Sequence, residues 1–396
     1  MSDPLAVLVV SHTYVTPENR GKLEEMGRRA RVRALVPERG ADIAGAQRPT
    51  ASGRESYELV ALPIVGSTVP GTRWLFTRGG HAWEGFDAVV LEQEVWSLAM
   101  LQGLALRRRH CPRATVTLFA WESVRRPGWR GPATSPFYRL AIRSASTIMV
   151  GNRDTRELFL RHGADAARIF VTPQVGLDPA RLAPVGRDER RSRRRDLGLD
   201  EDAFVVGFAG RLVPEKGVRD LVEAARRLRP PGPGVQLVLL GTGPLEAELR
   251  ERAGGDVRLR ILPARPRDQM APFYQSLDAC VLPSRATRAW KEQFGMAAAE
   301  AMACGVPVVG SSSGAIPDLV GRAGLIVPEG DADALAAALH RLAVDDKLRA
   351  ELGTAGRRRS ARLFSHQAVA DTTLRAVGIG LGRPVERPLA YCDVDD

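Results

Sequence analysis

Cysteine, lysine and long apolar runs are all scarce in this chain, and each scarcity narrows what it can be. The four cysteines among 396 residues, Cys111, Cys280, Cys304 and Cys392, lie far apart with no C-x-x-C spacing and no histidine partners nearby. That excludes a zinc knuckle or a disulfide framework and fits a reducing compartment, so the expected location is cytoplasmic. No uncharged apolar run approaches the roughly 20 residues of a membrane helix, so no membrane span is expected. No basic segment precedes the short apolar run 5–10, which reads as a first buried strand and not as a signal peptide. A G-x-x-x-x-G-K-[ST] phosphate loop is missing, and no cluster of metal-ligand residues stands out, so no metal is expected.

Lysine is the rarest charged residue. Only Lys22, Lys216, Lys291 and Lys347 accompany the arginines among 57 basic residues. The net charge of +11 invites a nucleic-acid reading. Yet the basic residues are scattered among acids, as in 187–202, without interleaved aromatics on which bases could stack. The charge is also spread, +7 up to residue 180 and +4 beyond it. Solvated helix faces with a bias toward anionic small molecules or lipid are the better expectation, and nucleic acid is not an expected partner.

What is present is globular: 44% apolar and 26% charged residues, enough for two domains with separate cores. Short apolar runs at 204–210, 235–241, 258–263, 279–283, 306–310 and 325–328 alternate with helical patterns at 218–228, 245–252, 270–277, 294–303 and 332–342. Such alternation predicts a parallel, doubly wound sheet buried on both faces. The first half repeats the plan more loosely, with strands expected at 5–11, 32–36, 59–65, 88–91, 115–119, 147–150 and 169–172. A polar loop is expected at 40–56 and a helical connection at 187–202. The fold class is therefore α/β, two Rossmann-like doubly wound domains with a ligand cleft between the carboxyl ends of their sheets. The expected domains are 1–182, joined by 366–385, and 183–365.

The sharpest chemical feature is the run from Lys291 to Val308. Between Phe294 and Ala303 every residue except Glu300 is apolar or glycine, so this helix is expected to be buried on nearly all sides. Glu292 precedes Glu300 by eight positions, which along a helix is roughly 12 Å. Between them the amides of Phe294, Gly295 and Met296 form an anion site at a helix start. Acid, phosphate cradle and acid suit a sugar, a diphosphate and a ribose; a core helix with one structurally paired glutamate is the plainer alternative. The second feature runs from Gly207 to Gly217. Gly210 ends a strand, and Arg211 and Lys216 follow, able to neutralise a departing diphosphate or to form a solvated surface pair. A lysine at 216, in a chain that otherwise writes arginine, suggests a place for a compact point charge. Gly241 and Gly243, in a strand-ending G-T-G-P turn, allow close backbone approach. Leu262, Pro263 and Ala264 could offer main-chain groups to a base edge.

Together these segments resemble the retaining nucleotide-sugar glycosyltransferases of family 4, which have the GT-B fold. The matching pieces are G-R-L-V-P-E-K-G, G-T-G-P, P-S-R-A-T-R-A-W-K-E-Q-F-G-M-A-A-A-E-A-M-A-C-G-V-P-V-V-G-S and G-L-I-V-P-E-G-D, across residues 145–365. The resemblance implies that Arg211 and Lys216 hold the donor diphosphate, that Glu292 binds sugar hydroxyls and that Glu300 takes the ribose. It implies a UDP- or GDP-linked sugar as co-substrate, no separate cofactor, and a last helix near 366–377 that returns to the first domain. The first domain departs from the pattern. Its Ser11 to Lys22 segment resembles a subset with H-x-Y-x-x-P-x-N-x-x-K, placing Asn19, Arg20 and Gly21 near phosphate or acceptor. Many members carry a histidine where this chain reads Phe119-Ala120-Trp121-Glu122-Ser123. His12 is then the available substitute, or else a structural histidine. Glu94, Trp121 and Glu122 are expected to face the acceptor, unless the acids merely serve helix starts.

The expected function is transfer of a hexose from a nucleotide sugar to a hydroxyl of a glycolipid, polysaccharide or natural product. A nucleotide-sugar 2-epimerase of the same architecture, or a basic nucleic-acid or lipid binder, is the alternative. The basic-aromatic segment 125–138 (with Trp129) and the amphipathic stretch 96–109 would line an acceptor pocket or touch an anionic membrane surface, which would make the protein peripheral to the membrane; for the apolar face of 96–109, burial against the sheet is the better expectation.

Overall fold

The computed structural model describes residues 4–42, 45–67, 73–122, 130–228, 234–254 and 258–394, and within these the chain forms two compact units. The first comprises residues 1–176 and 366–391, the second residues 177–365 and 392–396. The segment 123–129, which contains Trp129, lies outside the described residues.

The first unit is built on a seven-stranded sheet: β1 (Ala6–Ser11), β2 (Arg31–Pro37), β3 (Glu58–Leu62), β4 (Ala88–Glu92), β5 (Thr115–Ala120), β6 (Thr147–Val150) and β7 (Ile169–Val171). Every pairing is parallel, in the order β7-β6-β5-β4-β1-β2-β3. β1 is buried along its whole length, as an apolar run covered on both faces must be. The strand expected at 59–65 is broken at Pro63, which has no N–H to give a ladder. Beyond it, Ile64–Ser67 turns away and pairs antiparallel with Arg73–Phe76, a strand the sequence pattern did not announce. The expected loop at 40–56 contains a small hairpin, Gly40–Asp42 with Gly45–Gln47.

The C-terminal helix His366–Gly380 belongs to this unit and packs on the helix Gly21–Gly27 and on β5 and β6. A buried relay fixes it: the Thr117 and Thr147 hydroxyls are 2.9 Å apart, and Thr147 Oγ1 donates to the Ala376 carbonyl at 3.2 Å. Farther along, the Tyr391 hydroxyl donates to the Gly151 carbonyl, and Arg387 donates to the carbonyls of Ala166, Ala167 and Ile169.

The second unit holds six parallel strands: β8 (Phe204–Ala209), β9 (Val235–Leu240), β10 (Arg258–Leu262), β11 (Ala279–Leu282), β12 (Val308–Ser311) and β13 (Gly324–Val327). Their order, β10-β9-β8-β11-β12-β13, is the dinucleotide-binding arrangement in which the chain reverses direction between its first and fourth strands. The first unit has the same order with one strand added. One core joins Val206, Phe208, Leu237, Leu239 and Val281 to Leu221 and Val222 of helix Val218–Arg227 and to Leu335 and Leu339 of helix Ala332–Val344. Each such side chain contributes about 1.5–3 kcal/mol by leaving water. The connection at 187–202 is helical only over Arg187–Leu197, where Gly198 ends it in a left-handed turn. The expected helix at 270–277 shortens to Ala271–Gln275.

Candidate functional site

In the second unit the register between β8 and β11 covers only Val206 with Ala279 and Gly207 with Cys280. Beyond Gly207 the two strands part, and the loops that follow them line the carboxyl edge at the reversal point, where open α/β sheets bind ligands. These loops interlock through their backbones. Gly241 has φ +149°, and a Cβ there would lie 1.9 Å from the Gly210 carbonyl oxygen; a Cβ on Gly217 would lie 1.8 Å from that of Pro283. Leu212 N donates to Thr242 O at 2.9 Å, and Gly241 N to Leu262 O at 2.9 Å, so the turns after β8 and β9 continue the ladder past their strands. Leu262 is buried, while Pro263 and Ala264 stand exposed at the rim.

Lys216 closes a single helical turn, Pro214–Lys216, and Gly217 in the left-handed region starts the next helix. Its ammonium lies 2.7 Å from Glu292 Oε2, which also accepts from the Ser284 hydroxyl at 2.8 Å. The two side chains are 16% and 9% exposed, so the pair is shielded but reachable from solvent. The main chain of Glu292 is fixed as well, since its carbonyl accepts from Ala315 N. Arg211 stands differently. Its side chain is 58% exposed and touches Glu215 at 3.4 Å, an exposed pair whose guanidinium is held only weakly.

The helix expected from Phe294 begins at Met296, with Gly295 at φ +96° as its N-terminal cap. Phe294 instead turns inward against Phe364. The Gly295 carbonyl accepts from the amides of Ala298 and Ala299. The amides of Met296 and Ala297 have no carbonyl one turn back, as in the first turn of any helix. Glu300 is buried, and its carboxylate accepts from Arg267 Nε at 2.9 Å and from the Tyr274 hydroxyl at 2.8 Å. Burial, with the Glu300 charge second, pushes the Tyr274 phenol well above its ordinary pKa, which keeps it a proton donor to that carboxylate. The same two causes push the Cys280 thiol up to about 12, so it is no nucleophile.

Four participants escaped the sequence reading: Arg267, Tyr274, Ser284 and Trp290. Arg267 also donates to the Met296 sulfur, so it joins both ends of the helix's first turn. Ser284 stands two residues past the end of β11 and had a positional signal. Arg267 had none, being one arginine among many.

The first unit closes its reversal point. β1 and β4 stay in register through Ser11 and Glu92. There Lys22 Nζ meets Glu92 Oε1 at 2.5 Å, with side chains 1% and 0% exposed. Tyr14 and Gln174 also donate to the Glu92 carboxylate, and Gln174 donates to Thr13 Oγ1. Arg20 is buried and spends its guanidinium on the carbonyls of Tyr14, Val15 and Thr50, in place of the acceptor contact expected of it. Asn19 donates to the Thr13 carbonyl, and Gly21 is the close-packing residue under the His366 ring, which a Cβ would strike at 2.3 Å. His12 follows β1; burial lowers its pKa, opposed by the Glu92 charge and the Gln93 side chain, so the ring favours its neutral form. Glu122 accepts from Trp96 Nε1 and from the Tyr138 hydroxyl. Trp121 lies over Gly151 and donates to Gln174, and Glu94 is partly buried just after β4. The stretch expected to be amphipathic at 96–109 is the helix Leu98–His110; it buries Ala99, Met100 and Gly103 and is capped by Ser97. Among the described residues no group of His, Cys, Asp or Glu is arranged to hold a metal, and no helix is long and apolar enough to cross a membrane.

Comparisons with known proteins identify the family and the fold. A model of the family "Glycosyl transferases group 1" matches residues 203–345, and one of "Glycosyl transferase 4-like domain" matches residues 4–174. The D-inositol 3-phosphate glycosyltransferase of Actinosynnema mirum is 35% identical over 375 residues, 83% of each chain. The protein of that name from Corynebacterium jeikeium is 34% identical over 257 residues, 61% of this chain and 59% of its own. The matches to the first curated relatives cover only 53–59% of the length of those proteins. Among solved structures, Anabaena HepE in complex with UDP has a TM-score of 0.72 at 19% identity, over 95% of this chain and 100% of its own. Sucrose-phosphate synthase from Thermosynechococcus elongatus has a TM-score of 0.69 at 22% identity, over 96% and 99%.

Proposed function

The chain belongs to the family 4 glycosyltransferases, proteins of GT-B fold, and from that premise we propose that it transfers a hexose, with retention, from a nucleoside diphosphate sugar to an acceptor hydroxyl. The observation that carries the reading is the Lys216–Glu292 pair, set beside a helix start at the opened reversal point of the second sheet. Lys216, the exposed Arg211 and the first amides of the helix Met296–Ala303 would hold the diphosphate, where negative charge grows as the bond to the sugar breaks. Glu292, oriented by Ser284, would bind sugar hydroxyls. Glu300, already anchored by Arg267 and Tyr274, would offer its remaining lone pairs to the ribose. Gly241 and Gly243 let their turn pack on the Gly210 and Leu212 carbonyls, and the exposed rim at Pro263 and Ala264 would meet the base.

In the proposed step the bond from the anomeric carbon to the diphosphate oxygen breaks. A new bond to the acceptor oxygen forms on the same face of the sugar. The acceptor proton passes to the departing diphosphate oxygen, so no metal or protein nucleophile is required. Glu94, Trp121, Glu122 and Asn19 are the candidate acceptor contacts. A hydroxyl of a phosphorylated polyol is the first acceptor to assay, because the Actinosynnema relative is named for D-inositol 3-phosphate. We place the reaction in the cytoplasm, with contact to an anionic membrane surface where the acceptor is a lipid.

The test has two stages. Calorimetry with UDP and GDP should show binding that Lys216→Ala weakens. Incubation with donor and acceptor should release nucleoside diphosphate and give a product of unchanged anomeric configuration by NMR. An epimerised donor formed without acceptor would instead establish the epimerase alternative.

A further inference from the structure

Lys216 has a second neighbour besides Glu292: its ammonium sits 4.8 Å from the centre of the Trp290 ring. The loop that presents Trp290 is braced from several sides. Thr287 N donates to the Trp290 carbonyl at 2.7 Å, and Trp290 N returns a bond to Thr287 Oγ1 at 2.9 Å, closing a tight local ring. Arg285 N donates to the Glu215 carbonyl, one residue before Lys216, and the Arg285 guanidinium grips both oxygens of Asp220. Ala286 N is held by Glu329. The loop carrying Trp290 and the loop carrying Lys216 are thus tied to each other at a point next to the contact. The contact is built in.

We propose that Trp290 is a positioning residue for Lys216, one that holds the ammonium at the diphosphate site without consuming its charge. This rests on the reading of that site given above. A second carboxylate in the place of the indole would fix the lysine equally well but would neutralise it. The face of an indole attracts a cation through its quadrupole and carries no net charge. The ammonium has three donors in rotatable positions. One points to Glu292, the ring covers another side, and the remainder stays free for a phosphate oxygen. The arrangement also explains the choice of lysine over arginine in an arginine-rich chain. A compact cation fits between a carboxylate and an indole, whereas a planar guanidinium would have to stack on the ring and turn its donors edgewise.

The experiment measures binding of UDP and GDP, and of uridine and guanosine, to wild type, Lys216→Met, Trp290→Phe, Trp290→Leu and the double variant Lys216→Met/Trp290→Leu. Expected for Trp290→Leu is about tenfold weaker binding of the diphosphate that wild type prefers, with unchanged binding of its nucleoside. Trp290→Phe should retain affinity within about threefold, because it keeps a weaker aromatic face. In the Lys216→Met background the Trp290→Leu change should add nothing, the signature of a residue acting through the lysine. Equal losses for nucleoside and diphosphate, or additive losses in the double variant, would overturn the inference and assign Trp290 to loop structure. Loss in Lys216→Met without loss in Trp290→Leu would overturn it while leaving the function standing. Absence of diphosphate binding by wild type would overturn both. Should Trp290→Leu fail to fold, Trp290→Met, alone and in the Lys216→Met background, decides: a loss confined to the diphosphate and absent without the lysine supports the inference, and no loss overturns it.

Discussion

In both units a lysine that follows the first strand meets a glutamate that ends or follows the fourth, yet the two pairs are finished in opposite ways. Lys22 and Glu92 are sealed, 1% and 0% exposed, under two further donors to the same carboxylate. Lys216 and Glu292 keep a reachable side, 16% and 9% exposed, because β8 and β11 separate early where β1 and β4 stay paired. The same topological station can therefore be a sealed fastening or the open place at which we propose that the donor binds. What decides is whether the neighbouring strands close over it and whether the surrounding loops are glycine turns or side-chain donors.

That contrast can be broken at either pair. The largest effect on stability is expected in the first unit. Lys22→Met leaves Glu92 charged and enclosed, so urea unfolding should report a loss of about 3–5 kcal/mol. A loss below 1 kcal/mol would mean that Tyr14 and Gln174 suffice to hold the carboxylate. At the equivalent place in the second unit, Lys216→Ala should lower turnover by about 10²–10³-fold, the scale for removing one charge-stabilising donor. Its unfolding midpoint should move little, and a fall as large as that of Lys22→Met would erase the distinction between the pairs. Next in size is Gly241→Ala. Its positive φ and its 1.9 Å approach to the Gly210 carbonyl predict a stability loss of about 1–3 kcal/mol, together with weaker diphosphate binding as the turns spread. Smallest is Glu215→Ala. The exposed Arg211–Glu215 pair should contribute less than about 0.5 kcal/mol by thermal unfolding, and releasing Arg211 should leave UDP or GDP affinity equal or slightly higher.

Much of the second unit was legible in the sequence because its signals are local. Apolar strand runs, strand-ending glycines and one lysine among arginines need no knowledge of distant segments. Glu292 and Glu300 could be named because both stand in one short segment, the loop before and the first turns of the helix Met296–Ala303. What holds them could not. Arg267 and Tyr274 reach Glu300 from another part of the chain, and nothing in their own neighbourhood marks them. The first unit was harder for the same reason. Lys22 and Glu92 are 70 positions apart, and their meeting depends on how β1 and β4 align. Arg20 was legible as a cation near a helix start but not as a clamp on three carbonyls, because that role is set by the return of the segment around Thr50. Pro63 did carry a readable signal: an N–H missing from the middle of an expected strand is where that strand must stop.

The return of His366–Gly380 to the first unit has a consequence for how the molecule is made. A ribosome releases this helix only after residues 177–365, the bulk of the second unit, have been synthesised, so the first sheet must wait with the flank beside β5 and β6 uncovered. Synthesis order and assembly order are thereby uncoupled. The first sheet is made early and covered late.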